Sequence, residues 1–84
     1  MLDCYITFRS ITRAQRGSAL FENLGISHQL LRTPKSLAAQ GCGYTLRMQR
    51  AFAYQAVQAL RQNEIAYQRV YTVSETGQWE ELRI

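Results

Sequence analysis

Hydrophobic and polar residues alternate over residues 2–9, and this period of two predicts a strand with one buried face. The apolar side of the pattern consists of Leu2, Cys4, Ile6 and Phe8. The same alternation predicts three further strands, over residues 26–33, 44–49 and 65–73. Pro34 ends the strand over residues 26–33, because proline cannot donate a hydrogen bond to a sheet.

Two other stretches have apolar residues spaced three or four positions apart, which predicts amphipathic helices. They run from Ser10 or Thr12 to Asn23 or Leu24, and from about Arg50 to Gln62. Gly25 is well placed to end the first helix in the left-handed conformation. Gly17 lies on the apolar stripe of that helix, where we expect it to mark a close approach to the sheet.

The predicted order is therefore β-α-β-β-α-β, which indicates an α+β fold of the ferredoxin-like kind. In this arrangement four antiparallel strands form one sheet, and both helices cover one of its faces. A chain of 84 residues is expected to form a single domain over residues 1–84. We expect residues 74–84 to be an irregular tail or a marginal extra strand, and the edge strands of so small a sheet favour a homodimer.

The formal net charge of +4 comes almost entirely from arginine, since Lys35 is the only lysine. The arginines are scattered along the chain, which argues against nucleic acid as a partner. No apolar run is long enough to cross a membrane, and no basic stretch precedes an apolar one at the start, so we expect a cytoplasmic protein without disulfides. The few cysteines, histidine and carboxylates fit no metal or acid–base pattern, so we expect no metal and no cofactor.

Cys42 is the most informative residue, because glycine stands on both sides of it at Gly41 and Gly43. Such backbone presents a thiol on a turn without shielding by neighbouring side chains. A reactive thiolate needs exposure and positive charge, for which Lys35 and Arg47 are the nearest candidates. Arg32 and Thr33, at the end of the second strand, are expected to face them across the hairpin. From spacing alone, two interpretations stay open: a nucleophilic or sulfur-accepting thiol, and a bystander cysteine in a turn.

The other candidate residues have simpler interpretations. Cys4 lies on the apolar side of the first strand, where we expect a buried, inert thiol. His28 has no partner pattern and is expected to be a surface or partly packed histidine. The strand tyrosines could stack bases on an open sheet, but the dense aromatic motifs of RNA-binding sheets are missing, which favours ordinary packing.

Several of these residues occur in a combination that resembles the DUF3343 family of selenium/sulfur carrier-like proteins. The resemblance covers roughly residues 4 to 73 and depends on four segments. These are Ile6-Thr-Phe-Arg-Ser10, Leu24-Gly-Ile26, Thr33-Pro-Lys-Ser-Leu37, and Cys42-Gly43 followed by Leu46-Arg47. Family members usually have arginine after the threonine–proline step and serines before the Cys-Gly pair. Lys35 and Ala38-Ala-Gln-Gly41 stand at those places here, so one planar guanidinium fork and several hydroxyls are lost.

The resemblance implies that Cys42 carries sulfur or selenium as a persulfide or selenopersulfide, with Thr33, Pro34 and Lys35 in the same loop. It implies a donor of the cysteine desulfurase or selenocysteine lyase type, and a separate acceptor protein. It favours a carrier or accessory protein over a self-sufficient enzyme. The alternative is a non-catalytic module that binds a small anion or a protein through the sheet face or the loop from Lys35 to Gly43.

Overall fold

The computed structural model describes residues 3–38 and 43–84, which form an α+β structure. Alternating strand residues and amphipathic helix residues produce the elements at nearly the predicted places. In chain order they are β1 (Asp3–Phe8), α1 (Ile11–Asn23), β2 (His28–Arg32), α2 (Lys35–Ala38), β3 (Tyr44–Gln49), a 3-10 turn (Arg50–Phe52), α3 (Ala53–Gln62), β4 (Arg69–Val73) and β5 (Trp79–Glu81).

The sheet is antiparallel throughout, with the strand order β2-β3-β1-β4-β5. The predicted sheet of four strands is therefore wrong in number, because the described residues form five. The additional strand β5 comes from the tail, which returns beside β4 through a tight turn. Gly77 supplies the left-handed backbone at φ +84°, and the Ser74 N–H donates to the Gln78 carbonyl at 2.8 Å.

Two predicted strands are shorter than their patterns suggested. Strand β2 occupies His28–Arg32 rather than residues 26–33, and β4 begins at Arg69 rather than at residue 65. The cause is the same in both cases. The apolar residue that begins each predicted strand instead donates its backbone N–H to a carbonyl of the preceding helix. Ile26 N–H donates to the Phe21 carbonyl, and Ile65 N–H donates to the Leu60 carbonyl, each at 2.9 Å.

The ends of α1 confirm the predicted stop and start signals. Ser10 caps the helix, and its hydroxyl accepts a hydrogen bond from Arg13 N–H at 3.2 Å. Gly25 follows the helix with φ +74°, a conformation that glycine adopts without the steric cost of a side chain. Both ends of α1 are therefore determined by the local sequence.

The hydrophobic core lies between the sheet and the helices α1 and α3. Cys4, Ile6 and Phe8 of β1 are fully buried there. Gly17 of α1 is central to the core: a Cβ atom at this position would lie 3.1 Å from Leu46 Cδ1 and 3.3 Å from Leu60 Cδ2. Because Leu46 belongs to β3 and Leu60 to α3, both helices pack on one face of the sheet. The predicted close approach at Gly17 is confirmed.

We predict that Gly17→Val lowers the free energy of unfolding by about 2 to 3 kcal/mol, since overpacking a filled core costs roughly this much. The surrounding side chains of Phe8, Leu46 and Leu60 are all fully buried and cannot move toward solvent. Urea denaturation monitored by circular dichroism measures the change.

Gln15→Val is the matched control, because Gln15 is an exposed residue of the same helix. It introduces the same β-branched side chain and should cost only about 0.5 kcal/mol. A loss in Gly17→Val no larger than that in Gln15→Val would contradict the close approach, because replacing a helical glycine by valine does not itself lower helix propensity.

Candidate functional site: the sheet end at Gly43

Two of the predicted site residues, Gly41 and Cys42, lie outside the described residues. The other five, Thr33, Pro34, Lys35, Gly43 and Arg47, lie in described segments on either side of them. The candidate site is therefore built from the two chain segments that lead into and out of residues 39–42.

Gly43 is hydrogen-bonded to both neighbouring strands at the end of the sheet. Its N–H donates to the Phe8 carbonyl at the end of β1, at 3.1 Å. Its carbonyl accepts from Thr33 N–H, just after β2, at 3.2 Å. The residue that follows Cys42 is thus held in place on both sides by the sheet.

The described residues around Gly43 leave room for a side chain. A Cβ atom there would lie 3.8 Å from the Arg9 carbonyl oxygen, an ordinary van der Waals distance. The left-handed glycines of the described residues are Gly25 and Gly77, so the backbone of Gly43 is not left-handed. Neither left-handed backbone nor crowding by the described residues therefore demands a glycine at position 43.

Threonine hydroxyls support this end of the sheet from the face opposite the helices. Thr33 Oγ1 and Thr45 Oγ1 are hydrogen-bonded at 2.9 Å, and Thr45 is fully buried. Thr7, also fully buried, accepts from Arg69 N–H at 3.1 Å and donates to the Arg69 carbonyl at 3.2 Å. These bonds satisfy hydroxyls that would otherwise be costly to bury, so the frame of the site is well determined.

Pro34 directly precedes the short helix α2. Its carbonyl accepts from Leu37 N–H at 2.9 Å, and proline fixes φ at the value that such a turn requires. Leu37 is only 5% exposed, although it does not belong to the core beneath the helices. Its burial anchors the start of the segment that leads to Cys42.

Three positive side chains follow or end the segments next to Gly43, namely Arg9, Arg32 and Lys35, and all three are exposed. Arg32 lies at the end of β2, with its guanidinium carbon 5.8 Å from the centroid of the Tyr44 ring. Arg9 follows β1, and its carbonyl borders Gly43. Sequence analysis did not select Arg9, although the ferredoxin-like order places the end of the first strand beside the start of the third.

Arg47 occupies a different place from the other positive groups. It lies in β3 opposite Tyr5, four residues beyond Gly43, which corresponds to about 13 Å along the strand. Its Nε atom forms an ion pair with Asp3 Oδ2 at 3.0 Å. The side chain is thus paired toward the opposite end of β1.

Cys4 is the buried, inert thiol that the alternation predicted. It is fully inaccessible among the apolar residues of the core. Burial raises the pKa of its thiol to about 12, and the opposing effect of the Arg50 charge is smaller. Because only the thiolate is strongly nucleophilic, Cys4 cannot serve as a reactive cysteine in the folded protein.

His28 and the sheet aromatics are packed residues, as expected. His28 Nε2 lies 2.6 Å from Ser18 Oγ, and Nδ1 lies 2.8 Å from the Ile26 carbonyl oxygen. The Tyr5 and Trp79 rings meet edge to face with centroids 4.8 Å apart. These contacts link β2 to α1 and β5 to β1, which accounts for the side chains structurally.

The helices within residues 3–38 and 43–84 are too short or too polar to span a bilayer. No three histidine, cysteine or carboxylate side chains among the described residues lie close enough together to hold a metal ion.

Comparison with known proteins gives one match. The model of the family described as "Putative Se/S carrier protein-like" matches residues 3–72, which include both segments that border residues 39–42. No curated protein and no solved structure matches the chain.

We predict that Cys4 resists alkylation in the folded protein and reacts once the chain is unfolded. In a Cys42→Ser variant, iodoacetamide at about pH 8 should add no mass without denaturant and one adduct in urea, since the folded thiol is neutral and shielded. Intact-mass spectrometry measures the adduct. Rapid labelling without denaturant would contradict the burial of Cys4.

The raised pKa of Cys4 also gives the sign of its contribution to pH-dependent stability. The unfolded thiol ionises near its ordinary pKa of 9.0, whereas the folded thiol ionises near 12. The contribution of Cys4 is therefore complete below pH 9 and declines as the pH rises toward 12.

Proposed function

We propose that this chain, which belongs to the Se/S carrier protein-like family, holds sulfur or selenium on the Cys42 thiol as a persulfide or selenopersulfide. The observation that carries the proposal is the family match, which extends across the segments on both sides of Cys42. We also infer that the β-α-β-β-α-β part of the structure is a ferredoxin-like fold, to which β5 is added as a fifth strand.

The two cysteines of the chain favour Cys42 as the carrier. Cys4 is fully buried and its pKa is raised to about 12, so its thiol can neither reach a partner nor ionise near neutral pH. Cys42 follows Gly41 in the segment between α2 and Gly43. We propose that its thiol is accessible to a partner protein, as a carrier thiol must be.

Positive charge supports the proposed cargo, because a persulfide or selenopersulfide is an anion near neutral pH. Lys35 begins α2, Arg9 follows β1 directly after Phe8, and Arg32 is the last residue of β2, directly before Thr33. Phe8 and Thr33 are the residues that are hydrogen-bonded to Gly43. We propose that Lys35 is the main charge partner of Cys42, together with these two arginines. Arg47 would act on the cargo only at long range, because it lies about 13 Å along β3 from Gly43 and is paired with Asp3.

The proposed transfer of a sulfur atom from a donor persulfide to Cys42 needs no cofactor, because every bond that forms is matched by one that breaks. The Cys42 thiol loses its proton to solvent, and the thiolate attacks the terminal sulfur of a persulfide on a donor enzyme. A new S–S bond forms on Cys42 as the donor S–S bond breaks, and the donor thiolate leaves with the electron pair. An acceptor thiolate later attacks the carried sulfur in the same way, and selenium would follow the same route.

This scheme assigns the cysteine desulfurase or selenocysteine lyase chemistry to the donor, and the use of the cargo to an acceptor protein. The carrier needs only an accessible thiol and a positive surrounding. A reducing cytoplasm suits it, because the thiol must return to the reduced state after each delivery.

The test is sulfur loading by a cysteine desulfurase with cysteine as substrate, followed by intact-mass measurement without reductant. We predict that the wild type and Cys4→Ala gain one sulfur atom, whereas Cys42→Ser gains none. If wild type gains no adduct beyond that of Cys42→Ser, the carrier proposal is wrong.

Charge variants test the surroundings of the thiol in the same assay. Lys35→Gln should slow loading by roughly threefold, as expected for removing one nearby charge at moderate ionic strength. Arg16→Gln removes an exposed charge from α1 and should leave the rate unchanged. Equal rates for all three proteins would exclude Lys35 as the charge partner.

A further inference from the structure

The sheet end that holds Gly43 also contains a cavity of about 220 Å³ with two arginines in its wall. Its lining residues are Arg9, Arg13, Ala66, Tyr67 and Gln68. Arg9 follows β1, Arg13 lies in the first turn of α1, and residues 66–68 lead into β4. Gln68 N–H donates to the Thr7 carbonyl at 2.7 Å, and this hydrogen bond holds residues 66–68 against β1.

The charges around this cavity are of one sign. Arg9 and Arg13 both line it, and within the described part of the chain no carboxylate residue does. Within residues 3–38 and 43–84, neither Arg9 nor Arg13 forms an ion pair. The first turn of α1 contains no acidic residue, so the partial positive charge of the helix start adds to that of the arginines.

The positive charges of Arg9 and Arg13 repel each other, and a bound anion would reduce that repulsion. Guanidinium groups present planar sets of N–H donors that match the oxygen atoms of phosphate or sulfate. A cavity of about 220 Å³ is smaller than the usual range for drug-sized ligands, roughly 300–1,000 Å³, so it suits a single oxyanion group.

We propose that this cavity binds a small tetrahedral oxyanion of the phosphate or sulfate class through Arg9 and Arg13. The site goes beyond the proposed carrier function, because it uses neither Cys42 nor any residue of α2, although it shares Arg9 with the proposed charge partners of Cys42. It borders the candidate site, since the Arg9 carbonyl oxygen lies 3.8 Å from the position of a Cβ at Gly43. The oxyanion would be either the free ion or the phosphate group of a small metabolite.

The test is a titration of the ¹⁵N-labelled protein with inorganic phosphate, followed by NMR amide shifts, with sodium chloride at matched ionic strength as the salt control. We expect saturable shifts for residues 9–14 and 66–68. Arg9→Gln and Arg13→Gln should each weaken binding about tenfold, since each removes charged hydrogen bonds to the ligand. Arg16→Gln is the matched control, because Arg16 is an exposed arginine of the same helix outside the cavity, and its affinity should stay unchanged.

A second arm replaces phosphate by adenosine monophosphate to separate the two sources of the ligand. Tighter binding of the nucleotide indicates the phosphate group of a metabolite, whereas equal or weaker binding indicates the free ion. A Cys42→Ser variant should bind phosphate as the wild type does, so the site is tested independently of the carrier function.

Three outcomes would overturn the proposal. They are the absence of saturable phosphate shifts, equal shifts with chloride, and a loss in Arg16→Gln as large as in Arg13→Gln. Loss of phosphate binding in Cys42→Ser would likewise assign the anion to the loop and not to this cavity.

Discussion

The close packing of α1 against the sheet at Gly17 is the contact on which the rest of the structure depends. The missing side chain lets Phe8, Leu46 and Leu60 meet at one point, so β1, β3 and α3 are joined through a single position of α1. In a domain of this size the core is small, and one filled contact is a large part of its apolar burial. The helix cannot slide along the sheet without opening this contact, and its N-terminal turn therefore has a fixed position.

That fixed position determines what surrounds the candidate site. Strand β1 is paired with β3 and β4 over most of its length, and its last residues bring Arg9 and the start of α1 to the same end as Gly43. The buried Thr7 and Thr45 satisfy their hydroxyls at this end, which keeps the sheet closed up to its edge. The side chains of Arg9 and Arg32 at this end are exposed, and their strand-end positions let the charged groups remain in water.

Local sequence patterns were sufficient to predict most of the helices and strands, but not which residues the folded sheet brings together. Alternation identified β1 and β3, and Ser10 and Gly25 marked the ends of α1, because each signal depends on only a few adjacent residues. Strand β5 has three residues, too few for a pattern, and it is formed by pairing with β4, with the Trp79 ring packed against Tyr5 of β1.

The charge neighbours of the site required the register of the strands as well. Arg47 is close to Cys42 in sequence, yet its ion pair with Asp3 follows from the pairing of β3 with β1. Arg9 is distant from Cys42 in sequence, yet its backbone borders Gly43 for the same reason. Proximity along the chain is a poor guide at the end of a sheet, because residues from three strands meet there.

Cys4 shows how the core of a small fold makes a thiol inert. Its surroundings are apolar, so burial disfavours the thiolate and the pKa rises to about 12. At the sheet end that holds Gly43, by contrast, the side chains of Arg9, Arg32 and Lys35 are exposed and positive. Positive charge favours the ionised form of an acidic group, whereas burial among apolar residues disfavours it. The position of a cysteine in the fold, and not its sequence neighbours alone, therefore decides how readily its thiol ionises.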